Sequence, residues 1–126
     1  MKADVKKMIG NLLHKDDYSL AEKQIGVWVT GKPLYRKVLT YPNMPNNTSV
    51  AYPHGISNID VVVRYSCCWY DTTDAKCILT PRIDSFSIRL GCSVNKTNVY
   101  LEGIGTNWST RTKNVVVIME YTKTTD

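Results

Sequence analysis

The segment that most limits what this chain can become is Val115-Val116-Val117-Ile118-Met119-Glu120-Tyr121. Its β-branched run fits a pleated, packed surface better than a helix. It predicts a strand over Asn114 to Thr122, the clearest strand signal in the chain. A lone strand is not stable in water, so other segments must pair with it. Gln24 to Val29 is β-rich, Thr30-Gly31-Lys32-Pro33 supplies a turn, and Leu34 to Tyr41 alternates apolar and polar residues, which predicts a β-hairpin. Gly31 is the turn residue best able to take positive φ. Further strand signals lie at Asp60 to Tyr70, Lys76 to Leu79, Phe86 to Ser93 and Asn98 to Ile104. Strands at this spacing, joined by Gly, Pro and Asn turns, point to a mainly β chain folded as an antiparallel β-sandwich.

Between them lie the breakers. Pro42, Pro45, Asn46, Asn47, Pro53 and Gly55 predict a long loop over 42–58, with a short extended piece at Thr48 to Tyr52. Gly103 to Lys113 is a polar loop around Trp108. Ser19 and Glu22 fit a capping box, which predicts a short helical turn over Leu20 to Lys23.

The first 17 residues follow another period. Val5, Met8, Ile9, Leu12 and Leu13 recur at helical spacing, with lysines and asparagine on the other face. A short N-terminal amphipathic helix is expected over 1–17, ahead of a β-sandwich domain over 18–126. So short a helix is marginal alone. Its stripe must dock, either on the β domain of its own chain or on the same helix of neighbouring chains as an oligomerisation seam.

The totals narrow the function classes. With 126 residues, 43% hydrophobic and 21% charged, the chain suits one globular domain. No apolar run is long enough to span a bilayer, so no membrane insertion is expected. The formal net charge of +5 favours anionic partners. The basic residues cluster only in pairs such as Lys6-Lys7 and Arg36-Lys37, which does not point to nucleic acid. Cys67, Cys68, Cys77 and Cys92 show no C-x-x-C spacing, and only His14 and His54 could join them, so no metal or other cofactor is expected. All four cysteines read as free structural thiols that the fold does not need in pairs. His54, before Gly55 and after a proline, reads as a residue bonding backbone at the start of the next strand. Asp60, Asp71, Asp74, Asp84, Glu102 and Glu120 are scattered, and no pair suggests glycoside hydrolysis. No catalytic residue is assigned, and the chain is not expected to be an enzyme. Trp28, Tyr35, Trp69 and Tyr121 lie in strands and are expected in the core.

Three segments carry a resemblance. They are Tyr18-Ser19 with Glu22 to Lys37, then His54-Gly55-Ile56-Ser57-Asn58-Ile59-Asp60, then Glu120 to Asp126. In this order they resemble the terminal domain of phage and prophage tail-fibre or baseplate-type structural proteins of Gram-positive bacteria. The cysteine-rich middle, Cys67 to Cys92, departs from that pattern. The resemblance implies a homo-oligomer, a trimer by the family's habit, assembled in the bacterial host cytoplasm. It would sit in the virion tail beside other tail or baseplate proteins and touch the host surface.

Within that expectation one loop stands out. Trp108 is flanked by Asn107, Ser109, Arg111 and Lys113. An aromatic ring beside such donors and cations suits a sugar-bearing or anionic cell-wall polymer, a glycan or a teichoic acid. The other reading of Trp108 is that it folds back to cover the end of the sandwich. Two further functions compete with receptor binding: a purely architectural cap that trimerises a fibre or baseplate, and a small surface hydrolase.

Overall fold

The computed structural model describes Val5, residues 18–71, 76–85 and 87–126. The strands are β1 (Lys23–Val27), β2 (Pro33–Tyr41), β3 (Thr48–Pro53), β4 (Ile59–Asp71), β5 (Lys76–Leu79), β6 (Arg82–Ser85), β7 (Ile88–Val94), β8 (Asn98–Ile104) and β9 (Val115–Lys123). One short helix, α1 (Trp108–Arg111), precedes β9. The strands form two sheets, ordered β1-β2-β9-β4-β5 and β3-β8-β7-β6. Every pairing is antiparallel. Leu90, Val99 and Leu101 of the second sheet pack against Val115, Val117, Met119 and Tyr121 of the first, consistent with a β-sandwich.

The C-terminal run becomes the centre of the larger sheet, between β2 and β4. Its residues 115, 117, 119 and 121 are fully buried against the other sheet. On the opposite face Glu120 and Thr122 are buried and Val116 and Ile118 half-buried. A strand covered on both faces needs no polar alternation, which is why this segment reads as a nearly continuous apolar run.

The β1–β2 hairpin forms as expected. Gly31 takes φ 88°, its N–H donates to Trp28 O at 2.8 Å, and Trp28 N–H donates to Lys32 O at 2.8 Å. Trp69 and Tyr121 are buried, Tyr35 packs against the core, and Trp28 is half-buried.

Other expectations are corrected. No helical turn forms at Leu20 to Lys23. Ser19 Oγ instead accepts the Ala21 N–H at 3.1 Å, a local bond that competes with a helix, and Lys23 already belongs to β1. The strand expected over Phe86 to Ser93 is β7, and β6, just before it, is a strand the sequence reading did not expect. Phe86 lies outside the described residues, and so do Met8, Ile9, Leu12 and Leu13 of the expected N-terminal helix. Val5, the one member of that stripe described, is exposed. The described helix is α1, inside the segment expected to be loop.

A Cβ built on Gly31 meets no atom within 4 Å. The cost of a larger residue there is therefore conformational alone. Gly31→Val is expected to lower stability by more than ~1 kcal/mol, because a β-branched residue is poorly tolerated at positive φ. Urea denaturation checks it, and a loss no larger than that of an exposed strand substitution would refute it.

Candidate functional site

The strand directions divide the larger sheet into two ends. One holds the hairpin turn, the start of β4 and the end of β9. The other holds the end of β2, the loop after it, and the segment from Gly105 to Asn114.

At the first end the three segments that carry the resemblance come together. Glu120 is buried, and its carboxylate accepts from Arg36 at 3.1 Å and from Arg64 at 2.9 Å on both oxygens. The Arg36 side chain is 11% exposed and that of Arg64 70%. Lys32 Nζ reaches Asp60 at 2.9 Å and Lys123 O at 3.2 Å. Glu22 accepts from Tyr121 Oη at 2.5 Å and from Lys123 Nζ at 2.7 Å. Tyr35 Oη donates to Asp126 at 2.7 Å, and Thr124 N–H donates to Asn58 O at 2.8 Å. The Arg36 guanidinium also lies 4.3 Å from the Tyr18 ring centroid. A groove of about 310 Å3, lined by Tyr18, Arg64, Ser66, Ile118 and Glu120, opens beside this network. Burial first, and then the Glu22 carboxylate, push the Tyr121 phenol well above its ordinary range. Sequence reasoning did not single out Glu22, Lys32, Asp60 and Lys123 as partners. Their one signal was membership of the three segments.

The second end holds the loop expected to bind. Trp108 is 0% exposed. Its Nε1–H donates to Ile104 O at 2.9 Å, and its carbonyl accepts the Thr112 N–H at 2.9 Å. The ring cannot stack on a sugar, so the expected aromatic platform is overturned and the covering role stands. The physical reason is a close fit of two loops. Asn46 Nδ2 donates to Ser109 Oγ at 2.8 Å, and Ser109 N–H donates back to Asn46 Oδ1 at 2.8 Å. Gly105 N–H donates to Asn47 Oδ1 at 2.7 Å, and Met44 N–H to Thr112 Oγ1 at 2.8 Å. Gly103 is needed beneath them, since a Cβ there would lie 2.0 Å from Pro45 O. Asn107, Arg111 and Lys113 remain exposed. The Arg111 guanidinium lies 4.6 Å from the Trp108 ring centroid, which preorganises its head group. The polar and cationic part of the expected site is thus at the surface, while Ser109 serves the loop itself.

His54 is buried. Its Nδ1 accepts the Ile56 N–H at 3.1 Å, and its Nε2 lies 2.9 Å from Asn95 O, so Nε2 carries the proton. Both nitrogens are committed to backbone, the role read from the sequence. His14 and Asp74 lie outside the described residues. Among the described residues no three His, Cys, Asp or Glu side chains gather as metal ligands. No described helix is long and apolar enough to cross a membrane.

Compared with known proteins, the chain matches no family model, no curated protein and no solved structure.

Two outcomes follow from the first end. Glu120→Ala leaves the nearly buried Arg36 without its carboxylate and is expected to cost about 3–5 kcal/mol. Lys32→Ala, at a more open pair, is expected to cost about 1 kcal/mol or less. Equal losses in chemical denaturation would contradict the burial argument. Tyr121 is an acid whose folded pKa is raised above the unfolded value of about 10. Its contribution is present below pH ~10 and lost as pH rises beyond it. Tyr121→Phe should flatten the alkaline limb of a stability–pH profile, and an unchanged limb would count against it.

Proposed function

We propose that this chain is a structural domain of a phage tail tip or tail fibre that contacts an anionic polymer of the host cell surface. The observation that carries the reading is the meeting of the three resembling segments through Glu120, Glu22, Lys32 and Thr124. Residues shared with the tail-domain pattern then act as a framework, and recognition falls to the opposite end. There Arg111 and Lys113 are exposed on a loop held by Asn46 and Ser109. With Trp108 buried, the contact chemistry is anion binding by guanidinium and ammonium groups, as for the phosphates of a teichoic acid, and not sugar stacking. A single such loop binds weakly, and a trimer would compensate by avidity.

A second reading, an architectural cap that joins other tail or baseplate proteins, is favoured by one observation. Val27 and Val29 are 66% and 88% exposed at the hairpin end, and Val61 at the start of β4 is 52% exposed. The Lys32–Asp60 pair holds these two segments side by side. Apolar residues set out at the framework end suit a neighbouring protein more than water.

The test is adhesion of the purified chain to Gram-positive cells. Arg111→Ala with Lys113→Ala is expected to reduce adhesion several-fold, and moderate salt should reduce adhesion of the parent chain in the same way. Unchanged adhesion by the folded double variant would move the function to the architectural reading. Light scattering is expected to give a trimer.

A further inference from the structure

The cysteines sort into two pairs on opposite faces of β4. Cys67 points into the core and is 2% exposed. Cys68, one residue on, points to the outer face, as neighbours on a strand must. Each finds a different thiol. Cys67 belongs to the buried core cluster and Cys92 of β7 packs against that cluster, while Cys68 and Cys77 lie on the β4–β5 ladder. Of the three ways to pair four cysteines, the fold brings the thiols of one together. The sheet itself separates Cys67 from Cys77 and Cys68 from Cys92.

The inner pair has the better geometry for a covalent bond. Stacked sheets normally lie ~10 Å apart. Here β4 and β7 bring Cα atoms within 8 Å of each other, and no other pair of strands from opposite sheets makes as extensive an approach among the described residues. Tyr65 Oη, two residues before Cys67, donates to Cys92 O at 2.9 Å and clamps β7 to β4 beside the thiols. Both cysteines therefore face each other where the sheets are closest and already tied, which is the approach a disulfide needs. The outer pair is diagonal in its ladder, with Cys68 opposite Leu79 and Cys77 opposite Tyr70. Diagonal neighbours stand at roughly 7–8 Å between Cα atoms, the outer limit for bridging.

We propose that Cys67 and Cys92 are a latent cross-sheet disulfide, reduced in the free-thiol form and closed by exchange with a small-molecule disulfide. One thiolate attacks a sulfur of oxidised glutathione, forming a mixed disulfide and releasing one reduced glutathione. The second thiol loses its proton and attacks the protein sulfur of that mixed disulfide, releasing the second glutathione. Two protein thiols are oxidised, one glutathione disulfide is reduced to two thiols, and the balance closes. The neighbouring Cys92 thiol holds the Cys67 thiol below its ordinary range while Cys92 is pushed up, so Cys67 is the more readily ionised partner. The closed bond would staple the two sheets to each other under oxidising conditions. This inference uses only the paired thiols and does not rest on the proposed function.

The experiment refolds the full chain from urea in a glutathione buffer of rising oxidised fraction. Tryptic peptides 65–76, 77–82 and 90–96 carry the cysteines. The expected result is a peptide 65–76 linked to 90–96, lighter than the reduced pair by two hydrogen atoms, with a melting temperature raised by several degrees and restored by dithiothreitol. The variant Cys68→Ser with Cys77→Ser should give the same link and the same shift, and adding Cys92→Ser should abolish both. A link of 65–76 to 77–82 alone, a link between chains, or four thiols still alkylated in fully oxidised buffer would overturn the proposal. If the double variant does not fold, fragmentation of the linked peptide from the parent chain decides between Cys67 and Cys68.

Discussion

The carboxylate of Glu120 sits in the middle of the larger sheet, buried between guanidinium groups from the strands on either side. A buried charge without partners is too costly to keep, so β2, β9 and β4 can pair only in the register that brings Arg36 and Arg64 to it. The observed ladder is in that register, with Arg36 and Arg64 both opposite Glu120. A slip of one residue would turn Glu120 into the core and Met119 and Tyr121 out of it. The irregularity between Val62 and Arg64 serves the same end. An extra residue in β4 lets Val62 face the core opposite Tyr121 while Arg64 reaches the carboxylate on the other face. One ion-paired group thus fixes three strands, and the inward row of β9 that builds the core follows from it.

The second sheet and the loops depend on that arrangement through Trp108. Its ring fills the end of the space between the sheets. Its carbonyl, its indole N–H and the side chains of Asn46, Asn47, Ser109 and Thr112 satisfy the polar groups that so tight a turn would otherwise strand. Asn107, Arg111 and Lys113 stay exposed beside it, Arg111 with its guanidinium over the Trp108 ring. A loop rigid in its backbone and cationic at its surface loses little entropy when it meets an anion.

Much of this was legible in the sequence where a pattern is local. The β9 run, the hairpin with Gly31 at positive φ and the bond from the Ile56 N–H to His54 Nδ1 all rest on residues within a few positions of one another, whereas the second bond of His54, to Asn95 O, does not. What was not legible is what depends on distant partners. Ser19 and Glu22 have the spacing of a capping box, but Glu22 is taken by Tyr121 and Lys123, about a hundred residues later, and no helix forms. The short strand β6 carries no local signal of its own and exists through its pairing with β7. Trp108 is surrounded in sequence by polar residues, which left both an exposed platform and a covering role open. Its burial comes from residues 44–47, more than sixty positions away, which no window around it contains. The pairing of Cys67 with Cys92 is hidden in the same way.

Charge follows the same division between the two ends. At the framework end Lys32 pairs with Asp60, Lys123 with Glu22, and Arg36 and Arg64 both with Glu120, while Asp126 accepts from Tyr35, so these four acids and four bases sum to zero charge. The chain's net charge of +5 must therefore come from residues outside this corner, Arg111 and Lys113 among them. A neutral, internally satisfied corner exerts little long-range field, whereas unmatched cations on an exposed loop attract an anionic surface across about a Debye length, some 8 Å at physiological salt. An end that spends its charges on holding strands together has few left at its surface, whereas an end whose loop is held by neutral asparagine, serine and threonine bonds leaves its cations exposed.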